Sequence, residues 1–193
     1  MYSENSVMRS SADDWIQTGL QLLASEGSEA LTVDRLMSEM GLSKGSFYHH
    51  FSGRDDYILH LITAWKTEMT TDIIRQVDRG STGQEKYNIL KRALARSFAP
   101  EVEAAVRNWA RQSPEILSVV HDVDRLRTDS LFSILLDMGM TRSHARKMAR
   151  MIYASFIGAI HINPPASDRE QQQWSDLLRD LITSREMDRD KKK

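Results

Sequence analysis

The sequence predicts an all-α fold in two parts, an N-terminal three-helix helix-turn-helix domain and a larger helical C-terminal domain. Three observations carry that expectation. Apolar residues recur at three- and four-residue spacing along most of the chain, and no alternating run of β-branched residues interrupts them. Glycine and proline are scarce, at 9 and 4 of 193 residues, which favours helix and excludes collagen-like or low-complexity chains. Two very short helical stretches flank a glycine at position 41, where longer helices would not fit.

Element by element, Ala12 to Ser25 places Trp15, Ile16, Leu20, Leu22 and Leu23 at helical spacing, with Ser11 and Asp14 as an N-terminal cap and Gly27 as the stop. A short helix from Thr32 to Met40 puts Val33, Leu36, Met37 and Met40 on one face. Gly41 breaks it, and Ser43 opens another from Lys44 to Phe51. After Ser52 and Gly53, a long helix runs from Arg54 to Val77 with the stripe Ile58, Ile62, Trp65, Met69 and Ile73. Ser81 and Gln84 form a capping-box pair for the next helix. Pro100, Pro114, Gly139 and Pro164-Pro165 then delimit helices over 84–98, 101–111, 115–137, 141–162 and 167–185, the last with a second capping-box pair at Ser167 and Glu170. The domains expected are 1–54 and 55–193, linked by the helix over 54–77. The tail from Met187 to Lys193 is charged and expected to fray.

Composition removes several functions. There is no cysteine, so disulfides, cysteine-ligated zinc and thiol nucleophiles are excluded. With 26 basic and 27 acidic side chains the net charge is −1, which excludes a globally cationic coat for nucleic acid or membrane but not a local basic patch. The first twenty residues carry Glu4, Arg9, Asp13 and Asp14 and no apolar signal region. The longest nearly apolar stretch, Met151 to Ile160, is too short to cross a bilayer, which takes about 20 residues. A soluble, cytoplasmic protein is expected. His121, His144 and His161 share no ligand spacing, His-Glu-x-x-His is absent, and so are Gly-x-Ser-x-Gly and a phosphate-binding glycine loop. Neither an enzyme, a metal site nor a cofactor is expected.

The informative segment is residues 32–51, TVDRLMSEMGLSKGSFYHHF. Two short helices joined at Gly41-Leu42, where glycine permits positive φ, have the form of a helix-turn-helix whose second helix enters the DNA major groove. That helix opens with small and polar residues, Ser43, Lys44, Gly45 and Ser46, that allow close approach to phosphates and base edges. Phe47 and Phe51, four apart, turn inward. Tyr48 and His49 project on another side, able to reach phosphate.

Residues 12–60 resemble the N-terminal domain of the tetracycline-repressor (TetR) family of bacterial transcriptional regulators. The residues that carry the resemblance are Gly27, Thr32, Val33, Leu36, Gly41, Ser43, Lys44, Gly45, Phe47, Tyr48, Phe51, Arg54 and Asp55, above all the run from Gly41 to Phe51. The resemblance implies a ligand-responsive repressor that binds a palindromic operator as a homodimer and is released by a small-molecule effector. Thr32 and Val33 would meet the DNA at the start of the first motif helix. Ser43, Lys44, Gly45 and Ser46 would lie in the groove, with Tyr48 and His49 on the backbone. Arg54, where the family usually has lysine, would meet a phosphate beside a helix N-terminus. A transcriptional activator, or a helical small-molecule sensor with weak or no DNA binding, are the alternatives. The sensor draws support from the charge of residues 1–60, where four basic and nine acidic side chains give −5 with histidines neutral. Few phosphate-neutralising cations imply a shallow salt dependence of binding. Histidines gain charge below about pH 6.5, so His49, His50 and His60 would add to DNA affinity on acidification.

In the C-terminal part, Trp65, Phe98, Trp109, His121, Tyr153 and Phe156 are bulky residues suited to line an effector cavity between helices. Ala145, Ala149, Ala154 and Gly158 allow close helix approach, and with Trp174, Leu177, Leu178 and Leu181 they make a candidate dimer seam, two helices from each subunit forming a four-helix bundle.

Overall fold

The computed structural model describes residues 10–162 together with Arg169, Glu170, Gln173, Asp176 and Leu177. Among the described residues the fold is all-α, as expected, with no strand. The elements are α1 (Ala12–Glu26), a 3₁₀ turn (Ser28–Ala30), α2 (Val33–Met40), α3 (Lys44–His50), α4 (Arg54–Lys66), a π-helical turn (Thr67–Thr71), α5 (Asp72–Val77), α6 (Gly83–Ser97), α7 (Pro100–Ala110), α8 (Pro114–Asp137) and α9 (Arg142–His161). None is long and apolar enough to cross a membrane. The capping pair Ser167 and Glu170, expected to open a last helix, falls partly outside the described residues, although Arg169 and Glu170 are helical.

Residues 1–127 and 128–193 form two compact units, the boundary falling within α8. The first unit groups the helix-turn-helix with α4 through α7.

In the first unit α1 packs against α2, α4 and α7. Its start is fixed by the expected capping box: the Asp14 amide donates to Ser11 Oγ at 3.2 Å, and Ser11 N donates back to Asp14 Oδ2 at 2.7 Å. The core is aromatic. Trp15, Phe47, Tyr57 and Trp65 are fully buried, and Phe51 nearly so. The Trp15 and Phe47 rings meet edge-to-face at 5.4 Å, Phe51 and Tyr57 likewise at 5.0 Å. Tyr57 crosses to α1, where its hydroxyl donates to the Trp15 carbonyl at 2.8 Å. It can do so because position 19 has no side chain: a Cβ on Gly19 would lie 1.8 Å from Tyr57 Oη.

The expected stripe on 54–77 is only partly right. Ile62, Trp65 and Ile73 are buried, Ile58 and Met69 only partly, and Tyr57, Leu61, Thr70 and Val77 are buried as well. The π-helical turn explains the shift. It adds a residue to one turn, so the buried face steps five residues from Trp65 to Thr70 instead of four to Met69. The cap of α6 also falls one residue later than expected: Thr82 Oγ1 accepts from the Glu85 amide at 3.2 Å, and Glu85 Oε2 accepts from Ser81 N at 2.8 Å.

A buried ion cluster ties the π-helical turn to α7 and α8. Glu103 is 1% exposed, and its Oε1 accepts from Arg107 Nε and Arg127 Nη1, each at 2.8 Å. Arg127 also donates to Thr70 Oγ1 at 2.9 Å and to the Met69 carbonyl at 3.2 Å, and its guanidinium lies 5.8 Å from the centre of the Trp65 ring. A π turn leaves carbonyls imperfectly paired within the helix, and here an arginine takes one of them.

In the second unit Leu135, Ala145 and Ala149 are buried together, with Leu131, Phe132, Met138, Met148 and Ile152 around them. Gly139 turns the chain between α8 and α9 at φ +90°.

Candidate nucleic-acid interface

The helix-turn-helix is built from two serine/threonine caps and one left-handed glycine. Thr32 caps α2, accepting from the Arg35 amide at 3.2 Å. Gly41 ends α2 at φ +63°, ψ +29°, its N–H donating to the Met37 carbonyl, and Leu42 N donates to the same carbonyl at 3.2 Å. Ser43 caps α3, its Oγ facing the Ser46 amide at 3.4 Å. Phe47 and Phe51 anchor α3 from below, so the opposite side faces solvent.

That outward side carries most of the expected residues. Ser43, Lys44, Gly45 and His49 are exposed, and Tyr48 is 49% exposed. Lys44 has no ion pair among the described residues, and its Nζ lies 6.0 Å from the Tyr48 ring centre. Gly45 has helical rather than positive φ, and a Cβ there would come no closer than 3.8 Å to another group. The fold therefore does not require glycine at 45.

Two expected contacts are committed inward. Val33 is half-buried and packs on the core. Ser46 is half-buried and its hydroxyl lies 3.3 Å from Ser10 Oγ. His50 Nε2 donates to the Ser10 carbonyl at 2.8 Å, so the chain ahead of α1 is pinned to α3. Sequence reasoning missed this strap. Arg54 stands exposed at the start of α4, its Nε donating to the Leu31 carbonyl at 2.7 Å. That bond brings the guanidinium beside the Thr32 cap, uniting two expected phosphate contacts from distant segments.

Several of the nine acidic side chains counted in residues 1–60 have structural work. Ser11 hydrogen bonds hold Asp14 below the usual carboxylate range. The Ser52 amide does the same for Asp56, donating at 2.8 Å. Glu26 and Glu39 flank Arg35 at 2.6 and 2.8 Å, and Arg35 lowers the Glu26 pKa. Arg35 is already counted in the −5, and the lowered pKa values keep Asp14, Asp56 and Glu26 ionised, so the negative charge of this region stands.

The candidate effector residues are dispersed. Trp65 is sealed in the core, its ring packed under Arg127. Phe98 and Trp109 are half-buried in the first unit. Tyr153 and Phe156 belong to the second unit, stacked at 6.2 Å. A groove of about 440 Å³ in the first unit is lined by Lys66, Ser118, Val119, His121, Asp122 and Arg125, so only His121 of the six lines it. On the expected dimer seam, Ala145 and Ala149 are fully buried against Leu135 inside the second unit and present nothing to a partner. Ala154 and Gly158 are exposed, and Leu177 is 60% exposed. Trp174, Leu178 and Leu181 lie outside the described residues.

A capped pair of short helices with an exposed Ser-Lys-Gly start defines a helix-turn-helix protein. Residues 16–61 match the model for bacterial regulatory proteins of the tetR family, so this domain is similar to theirs. It is 28% identical over 83 residues to an HTH-type transcriptional regulator of Bacillus subtilis, YerO, covering 43% of this chain and 28% of that protein. It is 38% identical over 52 residues to the transcriptional regulator AcuR of Cereibacter sphaeroides, covering 27% of this chain and 24% of that one. These matches span about a quarter of each relative's length. In fold, the chain is similar to the crystal structure of a transcriptional regulator from Rhodococcus sp. Rha1, at 20% identity and TM-score 0.71 over 91% of this chain and 97% of that one.

Proposed function

We propose that this chain is a DNA-binding transcriptional repressor that acts as a homodimer on a palindromic operator and is released by a small-molecule effector. The observation that carries the reading is α3, a seven-residue helix that buries Phe47 and presents Ser43, Lys44, Gly45, Tyr48 and His49 outward. One such helix reaches few base pairs, so a two-fold pair on half-sites about one helical turn apart supplies the specificity. Thr32 and Arg54 would hold the phosphate at the first motif helix.

The dimer is proposed to form through the exposed stripe Met151, Ala154 and Gly158 of α9, spaced three and four, with exposed Ile162 just past its end. Small residues at its centre suit close helix approach. Effector release would act by a difference in affinity between two dimer geometries. A gel shift of the full chain on DNA from its own upstream region tests the reading. A retarded species that Lys44→Ala weakens is expected; no retardation would favour the sensor alternative.

A further inference from the structure

We propose that the first half of α9 is a second nucleic-acid contact, one that binds the phosphate backbone of duplex DNA without reading its bases. Arg142, Arg146, Lys147 and Arg150 are all exposed there, and no acidic residue stands between Arg142 and His161. None of the four has an ion pair among the described residues. Arg142, Arg146 and Arg150 follow one another at intervals of four, which makes a row with about 6 Å of axial rise between neighbours. At 3.6 residues per turn the row lies about 110° around the axis from Met151, Ala154 and Gly158, so the proposed dimer stripe leaves it uncovered.

The fold does not ask for this arrangement. Like charges four apart repel along a helix, and cations in the first turns oppose the macrodipole. The helices α1, α2 and α4 through α8 each carry an acidic residue in the first turn. Among the described helices only α3 and α9 lack one, and α3, which opens on Lys44, is the helix proposed to meet DNA. The arginines are also held together. The guanidiniums of Arg142 and Arg146 lie 5.6 and 5.2 Å from the centre of the same Phe132 ring on α8. That ring keeps two like charges at one place, where a shared anion offsets their repulsion.

Charge complementarity selects the partner. An open row of arginines with no pocket beneath it suits an extended polyanion, and the guanidinium fork matches phosphate. Duplex DNA is a continuous run of phosphates. The proposed helix-turn-helix interface exposes only Lys44 and Arg54, on a segment of net charge −5. The α9 row supplies the phosphate-neutralising charge that this interface lacks.

Fluorescence anisotropy of the full chain on a labelled random-sequence duplex, repeated across salt concentrations, tests it. One variant combines Arg142→Gln, Arg146→Gln and Arg150→Gln. It should bind more weakly, with the slope of log affinity against log salt reduced by about 2 to 3 per subunit. A second variant, Arg142→Lys with Arg146→Lys and Arg150→Lys, keeps the charges and should keep the slope, which separates charge from packing on Phe132. An unchanged slope in the glutamine variant, or equal losses in both variants, would overturn the proposal. Polyglutamate or phosphatidylserine vesicles held through these arginines more tightly than the duplex would assign the row to an acidic protein or a membrane, and would overturn it as well. Lys44→Ala separates this contact from the operator reading: it should weaken binding to upstream DNA and leave the arginine-dependent slope on the random duplex. A chain that prefers upstream DNA but shows no arginine-dependent slope overturns the α9 contact alone. One that holds both duplexes equally through α9 overturns the repressor reading alone.

Discussion

Gly45 separates what the fold needs from what a ligand needs. Its backbone is ordinary helix and a Cβ meets open space, so alanine there should stabilise α3 by about 1 kcal/mol through helix propensity. If the α3 start lies against DNA, the same Gly45→Ala change should raise the thermal midpoint and weaken operator binding at once. Gly19 is the opposite case. A methyl group there strikes Tyr57 Oη at 1.8 Å, so Gly19→Ala should cost on the order of 1–3 kcal/mol in denaturant unfolding. Gly41 is held at φ +63°, and a β-branched residue resists that conformation, so Gly41→Val should destabilise the turn. The turn glycine and the inward Phe47 and Phe51 were legible from position alone, because local backbone and period fix them. Gly19 was not, since only the crossing of α1 and α4 brings Tyr57 against it.

The π-helical turn shows where periodicity stops being informative at the level of the element. The stripe through Ile62 and Trp65 follows the ordinary helical repeat, then the phase slips and Thr70 takes the place expected for Met69. No local residue signals the slip; its partners, Glu103 and Arg127, are distant in sequence. Glu103 is buried and relies on two arginines. Arg127→Met leaves Arg107 as its remaining arginine partner and should cost about 2–4 kcal/mol in urea unfolding. The double change Arg127→Met with Glu103→Leu should recover most of that, because the uncompensated charge goes with it. A double variant no more stable than the single one would show that the cluster acts through shape rather than charge. The helix starts were easier to read. Ser11 and Asp14 cap α1 as the sequence suggested, whereas Thr82 displaced Ser81 because its hydroxyl is the one aligned with a free amide.

For the whole molecule, charge decides how the proposed interface would approach DNA. Asp14 and Asp56 serve as caps, and Glu26 and Glu39 flank Arg35, so the exposed cations of the interface are Lys44 and Arg54. Through these two alone, log affinity against log salt would have a shallow slope, and Arg54→Gln should flatten it by about one per subunit. The caps make a separate prediction. Asp14, Asp56 and Glu26 are all held below their ordinary carboxylate values in the folded state. Their stabilisation is complete above the unfolded value near 3.8 for aspartate and is lost as pH falls through the lower folded values, so stability in urea unfolding should decline below about pH 4. The expected seam was legible only as a set of small residues: Ala145 and Ala149 close α9 onto α8, and nothing in spacing distinguished them from Ala154 and Gly158.

The central claim is that the solvent face of α3 enters the major groove. Comparing the full chain with its Lys44→Ala variant on upstream DNA, at matched thermal midpoint and oligomeric state, tests it most directly. Affinity should fall by about tenfold in the variant. Undiminished binding would place the DNA-contacting surface elsewhere on the molecule.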